Sequence, residues 1–359
     1  MTFTKNVLST ILGLSLTCMI LAVPLTVSAQ SGTWTTKAPM PTPRSHLSIG
    51  EVNGILYAVG GYKSRTCCPD PFIATVEAYN PATDTWSSKA AMPTARGDLG
   101  VGVVNGILYA VGGQDSSGSL ATVEAYDPLT DTWTSKTSMP TARYAPGVAA
   151  INGIVYAVGG RNTSELATVE AYDPATDSWT TKTSMPTPRG RLGVSVVSGI
   201  LYAVGGGDSL GCLATVEAYD PATNTWTSKA PLPIPNGPAT GTVNGVLYAV
   251  GGAHNCISGG ITNEVDAYDP NLNAWTMAPS MPTPRTGLGV GVVNGVLYAI
   301  GGTTDDLGAY AIVEAFTPMS VVGPPTNRDQ CKNGGWRTFD TPRTFKNQGD
   351  CVAFVNTGK

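Results

Sequence analysis

Apolar and polar positions recur along this chain with a long period, and within each period they follow the pattern of strands. Six times a five-residue apolar run ends at a Gly-Gly pair, as in Ile55-Leu56-Tyr57-Ala58-Val59 before Gly60-Gly61. The pairs stand at 60–61, 112–113, 159–160, 205–206, 251–252 and 301–302, a period of 46 to 52 residues. A run apolar at every position predicts a strand covered on both faces. Ahead of it lies another apolar strand, such as 99–104, joined through Asn105-Gly106, the favoured two-residue hairpin turn. Asn-Gly recurs at 53, 152, 244 and 294, and Ser198-Gly199 replaces it once. Downstream of five pairs comes Val-Glu/Asp-Ala-Tyr, a third strand, and seven residues after its Tyr (Tyr79, Tyr126, Tyr172, Tyr219, Tyr268) stands a Trp (Trp86, Trp133, Trp179, Trp226, Trp275) in a fourth. Segments such as Asp127-Pro128-Leu129-Thr130-Asp131 predict the tight turn between them, because Pro presets its dihedral and Asp caps its own backbone. No segment of the array reads as a helix.

The period and the order Gly-Gly, Tyr, Trp resemble the kelch repeat over roughly residues 33–318. WD repeats fit less well, since no Trp here is followed by Asp. The resemblance implies an all-β fold in which each copy is one four-stranded blade of a propeller. The sixth copy has Val313-Glu314-Ala315-Phe316 but no following Trp, while a spare Trp34 precedes the first Gly-Gly in Thr33-Trp34-Thr35-Thr36-Lys37. The orphan strand predicts a six-bladed ring closed by lodging the N-terminal strand in the last blade, which removes two open sheet edges.

Composition sets the compartment. Lys5, an apolar stretch from Val7 to Val23 and Val27-Ser28-Ala29 together predict a secretory signal peptide over 1–29. Its removal takes the formal net charge from −4 to −5, because Lys5 is the only charged residue lost. The expected location is secreted, whether extracellular, periplasmic or at the cell surface, and no later segment is long and apolar enough to span a membrane. Charged residues make up 13% of the chain, against about 25% in ordinary soluble domains, and no basic field is present for nucleic acid. Six cysteines remain after the leader, an even number suited to an oxidising compartment. Cys212 and Cys256 follow their Gly-Gly pairs by six and four residues in consecutive blades, which predicts a bridge between them. Cys67 and Cys68 are adjacent, and Cys331 and Cys351 flank a short tail; three bridges are expected, with connectivity left open. The domains are therefore 30–318 for the propeller, 319–330 for a linker with Gly323-Pro324-Pro325, and 331–359 for a tail resembling the two-cysteine C-termini of exported bacterial proteins.

Positions that differ among the six copies are where a ligand would be read. After each link Arg come Ser45-His46, Gly97-Asp98, Tyr144-Ala145, Gly190-Arg191, Gly237-Pro238 and Thr286-Gly287, and after each Gly-Gly stand Tyr62, Gln114, Arg161, Gly207, Ala253 and Thr303. The kelch resemblance implies that both offsets line the mouth of the central channel. The candidate ligand-binding residues are thus His46, Tyr62, Asp98, Gln114, Tyr144, Arg161 and Arg191, with Arg161 and Arg191 converging on one anionic group. In contrast, the repeated Arg44, Arg96, Arg143, Arg189 and Arg285 and the repeated Glu77, Glu124, Glu170, Glu217 and Glu314 are expected framework, since buried charges demand partners. Blade 5 carries Asn236 and Asp266 instead, and this joint loss predicts that the two sets pair.

The resemblance also covers copper enzymes of the galactose-oxidase type and periplasmic sialic-acid mutarotases. The former need two His, two Tyr and a Cys cross-linked to one Tyr at the mouth, whereas His46 and His254 are the only histidines here and sit at blade-specific positions, so no metal or cofactor is expected. A mutarotase would need a carboxylate and an Arg at the mouth, and such pairs exist, although the long insertions of that family do not. The expected function is a non-catalytic recognition module for a protein, peptide or glycan, with the sugar-modifying enzyme or a purely structural surface protein as alternatives.

Overall fold

Each Asn-Gly or Ser-Gly pair closes a hairpin as its dihedrals require. Asn53, Asn105, Asn152, Ser198, Asn244 and Asn294 have φ between 50° and 51°, and the glycine after each lies between 77° and 82°, the mirror-image turn whose twist matches that of paired strands. The computed structural model describes residues 30–63, 72–256, 259–304, 308–319 and 351–352. The leader, most of the linker and tail, and Cys67 and Cys68 lie outside the described residues.

Six antiparallel four-stranded sheets form the ring. Blade 1 runs, from the axis outward, Ser48–Val52, Ile55–Val59, Val76–Asn80 and Thr85–Lys89, and blades 2 to 5 repeat this order. Blade 6 is composite. Its inner strands are Gly289–Val293, Val296–Ile300 and Val313–Pro318, and its outer strand is Gly32–Thr36, with Trp34 opposite Phe316 and their rings 5.1 Å apart. The closure read from the displaced Trp is therefore the closure the ring uses.

The core lies between blades. Tyr57, Val59, Val76 and Ala78 of blade 1 pack with Leu99, Val101, Leu108, Ala110 and Tyr126 of blade 2 in one buried cluster, and the same interleaving continues around the ring. This explains why the second strand of every blade is apolar throughout: both of its faces meet a neighbour.

The repeated Trp has a role that its spacing alone did not disclose. Trp86 Nε1 donates to the Ala38 carbonyl of the preceding blade at 3.0 Å, while the Ala38 N–H donates to Asp84 Oδ1 at 2.9 Å. The same reciprocal staple joins Trp133 and Asp131 to Ala90, Trp179 and Asp177 to Thr137, Trp226 and Asn224 to Thr183, and Trp275 and Asn273 to Ala230. At the closing blade only half of it survives: Trp34 Nε1 donates to the Pro279 carbonyl at 2.8 Å, and proline has no N–H to return.

Three of these five acceptors are carboxylates. The Tyr79, Tyr126 and Tyr172 hydroxyls donate to Asp84, Asp131 and Asp177 at 2.6 Å, and those bonds, followed by the backbone N–H of the preceding blade, hold the three carboxyls below their ordinary range. A depressed folded-state pKa contributes stability above the unfolded value and loses it as pH falls through the folded value. Replacing all three by Asn, the residue already in this role at Asn224 and Asn273, keeps the acceptor and the positive φ while removing the titration. Thermal melts from pH 7 down to pH 3 should show a shallower loss of Tm in the triple variant than in the parent; parallel curves would refute the assignment.

Candidate functional site

The links between blades are pinned by buried ion pairs, and the pinning sets what reaches the axis. Arg44 and Glu77, Arg143 and Glu170, and Arg285 and Glu314 meet at 2.7, 2.6 and 2.8 Å, and Arg96 with Glu124 and Arg189 with Glu217 at 2.5 Å. Each Arg is fully buried and each Glu nearly so. The second carboxylate oxygen of each Glu accepts a hydroxyl from the Thr two residues before its Arg, as Thr42 does for Glu77 at 2.8 Å. Burial pulls the Arg44 guanidinium down to about 10 against the opposing pull of Glu77, which leaves it charged at neutral pH. The two repeated charge sets are paired framework.

Beyond each anchor the two following residues separate. The first pairs with the residue after Gly-Gly: Ser45 with Tyr62, Gly97 with Gln114, Tyr144 with Arg161, Gly190 with Gly207 and Thr286 with Thr303, each through a two-residue bridge outside the ring's named strands. The second turns to the axis. His46, Asp98, Ala145, Arg191 and Gly287 all have φ between 48° and 60°, a conformation that costs free energy for residues with a side chain. A hydrogen-bond chain compensates: His46 N–H donates to Gly287 O at 2.6 Å, Asp98 to His46 at 3.0 Å, Ala145 to Asp98 at 2.7 Å and Arg191 to Ala145 at 3.1 Å. The chain stops at blade 5. Sixteen residues separate Arg189 from Gly205, as in the other copies, but fifteen separate Asn236 from Gly251, so the axial residue of blade 5 is missing.

These residues rim a central channel of about 800 Å³. Its wall is Ile49, Val101, Val148, Val194 and Val290, with Thr240 in blade 5 as the one polar member of that tier. Asp98 and Arg191 bring charge to the lining, and His46, Thr286, Thr303 and Thr304 are among its polar residues. Arg191 is exposed and forms none of the ion pairs among the described residues.

Tyr62, Gln114, Tyr144 and Arg161 lie outside the channel lining. Tyr62 is 2% exposed, its ring under Gly97, where a Cβ would come within 2.7 Å of it. Its hydroxyl donates to Asp98 Oδ2 at 2.6 Å, and Gln114 Nε2 donates to the Tyr62 hydroxyl at 2.6 Å and to Asp98 Oδ2 at 2.9 Å. Tyr62 and Gln114 therefore position the Asp98 carboxylate. Arg161 is paired with Glu165 at 2.9 Å, so it does not join Arg191 as a second free guanidinium in the channel.

Blade 5 reaches the axis differently from the other blades. Its second and third strands run on past Gly-Gly as the long hairpin Val246–Asn255 and Gly259–Asp269, and Ala253, Cys256 and Ile261 line the channel where the axial residue is absent. A disulfide joins Cys256 to Cys212 of blade 4, with their Cα atoms 5.0 Å apart. The fifteen-residue spacing was the available signal for this asymmetry. Cys67, Cys68 and Cys331 lie outside the described residues, and with them the pairing of Cys351. Among the described residues no helix is long and apolar enough to cross a membrane, and no group of three or more His, Cys, Asp or Glu is placed to hold a metal.

Comparisons with known proteins agree with this geometry. The profile of the KLHDC2/KLHL20/DRC7 Kelch-repeats domain matches residues 21–185, and the Kelch motif matches 188–233 and 235–282. Kelch-like ECH-associated protein 1B of Danio rerio is 42% identical over 85 residues, which is 23% of this chain and 14% of that protein. The human Influenza virus NS1A-binding protein is 45% identical over 78 residues, 22% of this chain and 11% of the relative. The chain thus spans only a small part of the length of these relatives. A solved structure titled "Structure of YjhT" superposes with a TM-score of 0.63 at 19% identity, covering 76% of this chain and 94% of that one, a likeness of fold.

Proposed function

The chain is a kelch-repeat β-propeller, and from that premise we propose that it is an exported, non-catalytic recognition module that binds an acidic segment of a protein or peptide at the channel mouth. The observation that carries the reading is Arg191: an exposed guanidinium on the rim of the central channel of about 800 Å³, outside every ion pair of the framework. A guanidinium meets a carboxylate bidentately, and such charge-assisted pairs are stronger than neutral hydrogen bonds. Asp98, held by Tyr62 and Gln114, gives the mouth an opposite pole two blades from Arg191, so a ligand would be read by orientation as well as charge. Relatives whose names describe binding to other proteins favour a protein partner, and a glycan bearing a carboxylate would use the same guanidinium. Export rests on the leader-like residues 1–29, and N-terminal sequencing of protein recovered outside the cytoplasm should begin after Ala29.

Arg191→Ala tests the reading. Alanine already occupies this position and backbone conformation at Ala145, with φ of 48°, so the variant should melt with the parent. Its affinity for acidic peptides selected on an array should fall roughly 10- to 150-fold, the equivalent of about 1.5–3 kcal/mol. Unchanged affinity would overturn the mouth as the binding surface.

A further inference from the structure

Five blades show, inside one molecule, how this ring binds a guanidinium. Arg44 Nη2 donates to Glu77 and to the Ala58 carbonyl, and the same Ala carbonyl is used at Ala110, Ala203 and Ala299 by Arg96, Arg189 and Arg285. In blade 3 Arg143 Nη1 takes the Gly159 carbonyl at 2.8 Å instead. Each receptor consists of a third-strand carboxylate in register with a second-strand Ala, as Glu77 is with Ala58.

Blade 5 keeps the receptor and loses the cation. Asp266 is in register with Ala249, but Asn236 stands where the other blades have Arg, and Ile234 where they have the Thr that donates to the carboxylate. Asn236 follows the arginine route only partway: its Nδ2 donates to the Gly251 carbonyl at 2.7 Å, the counterpart of the Gly159 bond, and its Oδ1 is buried without a partner although the residue is 6% exposed. Among the described residues no side chain donates to Ala249 O.

The charge balance of the pocket matches this. Burial, with Glu264 adding repulsion and His254 opposing it, pushes the Asp266 carboxyl up to about 6. The Nε2 of His254 lies 2.8 Å from Glu264, and Asp266 forms no ion pair among the described residues. Access differs as well. Asp266 is half-buried and Ile234 is 42% exposed, whereas the five corresponding glutamates are 2–3% exposed. Asn for Arg and Asp for Glu are both shorter side chains, and the Asp266 carboxylate keeps solvent access while forming none of the ion pairs among the described residues.

We propose that blade 5 is a binding site for a guanidinium group carried by a ligand, held by the Asp266 carboxylate and the Ala249 carbonyl as the other blades hold their own arginines. The group comes from an arginine side chain of a partner or from a small free guanidinium compound. The site is independent of the channel mouth: it takes the opposite charge and uses none of the rim residues.

The test is a calorimetric and NMR titration of the intact propeller at pH 7.5 with methylguanidinium, N-acetylarginine amide and the neutral isostere N-acetylcitrulline amide. Saturable binding of either cationic probe, with none for the citrulline compound, is expected. Comparable affinity for methylguanidinium and N-acetylarginine amide identifies a presented side chain as the source, and binding of methylguanidinium alone identifies a small free ligand. Asp266→Asn should weaken binding at least tenfold and, since it removes an uncompensated buried charge without changing shape, should fold. Glu264→Gln should retain binding, because Glu264 is already engaged by His254. The double variant Asn236→Arg with Asp266→Glu should abolish binding and raise Tm, because its own guanidinium then fills the receptor. No saturable binding by the parent, equal binding by Asp266→Asn, or equal loss in Glu264→Gln and Asp266→Asn would overturn the proposal, the last by reducing it to a diffuse acidic patch.

Discussion

A propeller lacking residues 30–41 will melt roughly 10 °C or more below one lacking residues 320–359. The N-terminal strand contributes on several levels at once. Gly32–Thr36 covers the otherwise open edge of Val313–Pro318, and Lys37 and Met40 continue the backbone bonds to Val313 O at 2.9 Å and Ala311 O at 2.8 Å. Trp34 is half-buried against Phe316 and donates to the Pro279 carbonyl, while Gln30 N–H donates to the Met277 carbonyl of blade 5 at 3.1 Å. Met40 is 1% exposed in the cluster between blades 6 and 1. Truncating a core aromatic costs about 3–5 kcal/mol by itself, and each kcal/mol lowers Tm by about 2–4 °C in a domain of this size. The last strand of the ring ends at Pro318, ahead of residues 320–359. Differential scanning calorimetry of both truncations decides the matter, and equal melting temperatures would sink the closure account.

How much of this was legible follows from where the repeat is enforced. Gly-Gly, Asn-Gly and the Tyr-to-Trp interval recur because backbone conformation and blade-on-blade packing are the same six times, so strands, turns, blade count and closure could all be read from one chain. The pairing of the repeated Arg and Glu was legible for a related reason: blade 5 loses both together. The mouth was only half legible. The axial offset places His46, Asp98 and Arg191 in the channel, but of the residues after Gly-Gly only Ala253 and Thr303 are among its lining, and Tyr62 fills the space that Gly97 leaves beneath it. That contact joins residues 35 positions apart on two blades, and nothing periodic encodes it. The missing axial residue of blade 5 was countable, at fifteen residues against sixteen, yet Asn236-Gly237-Pro238 imitates the ordinary link closely enough to hide it. The long hairpin that fills the gap belongs to the one segment of each blade that does not repeat.

Arg143→Ala is expected to cost about 3–5 kcal/mol, or roughly 6–20 °C in Tm, although the residue touches no solvent and no channel. The guanidinium donates to Glu170 at 2.6 Å and to the Gly159, Thr168 and Thr141 carbonyls at 2.8, 2.9 and 3.2 Å. Removing it strands a carboxylate that keeps only the Thr141 hydroxyl, at 2.7 Å, together with carbonyls that lose their donors in a place water does not reach. The penalty comes from the abandoned partner, since an intact buried pair is close to neutral once its desolvation is counted. Blade 5 provides the control. There the ring tolerates the joint change to Asn236 and Asp266, so the double variant Arg143→Asn with Glu170→Asp should recover part of what Arg143→Ala loses, by shortening the acid and supplying an amide donor to the Gly159 carbonyl as Asn236 does to Gly251. Urea unfolding of the parent, the single and the double variant measures both steps. A single variant within 1 kcal/mol of the parent would mean that the five pairs are spectators of a ring held by its apolar layers, and a double variant no better than the single would mean that blade 5 is supported by something other than this exchange.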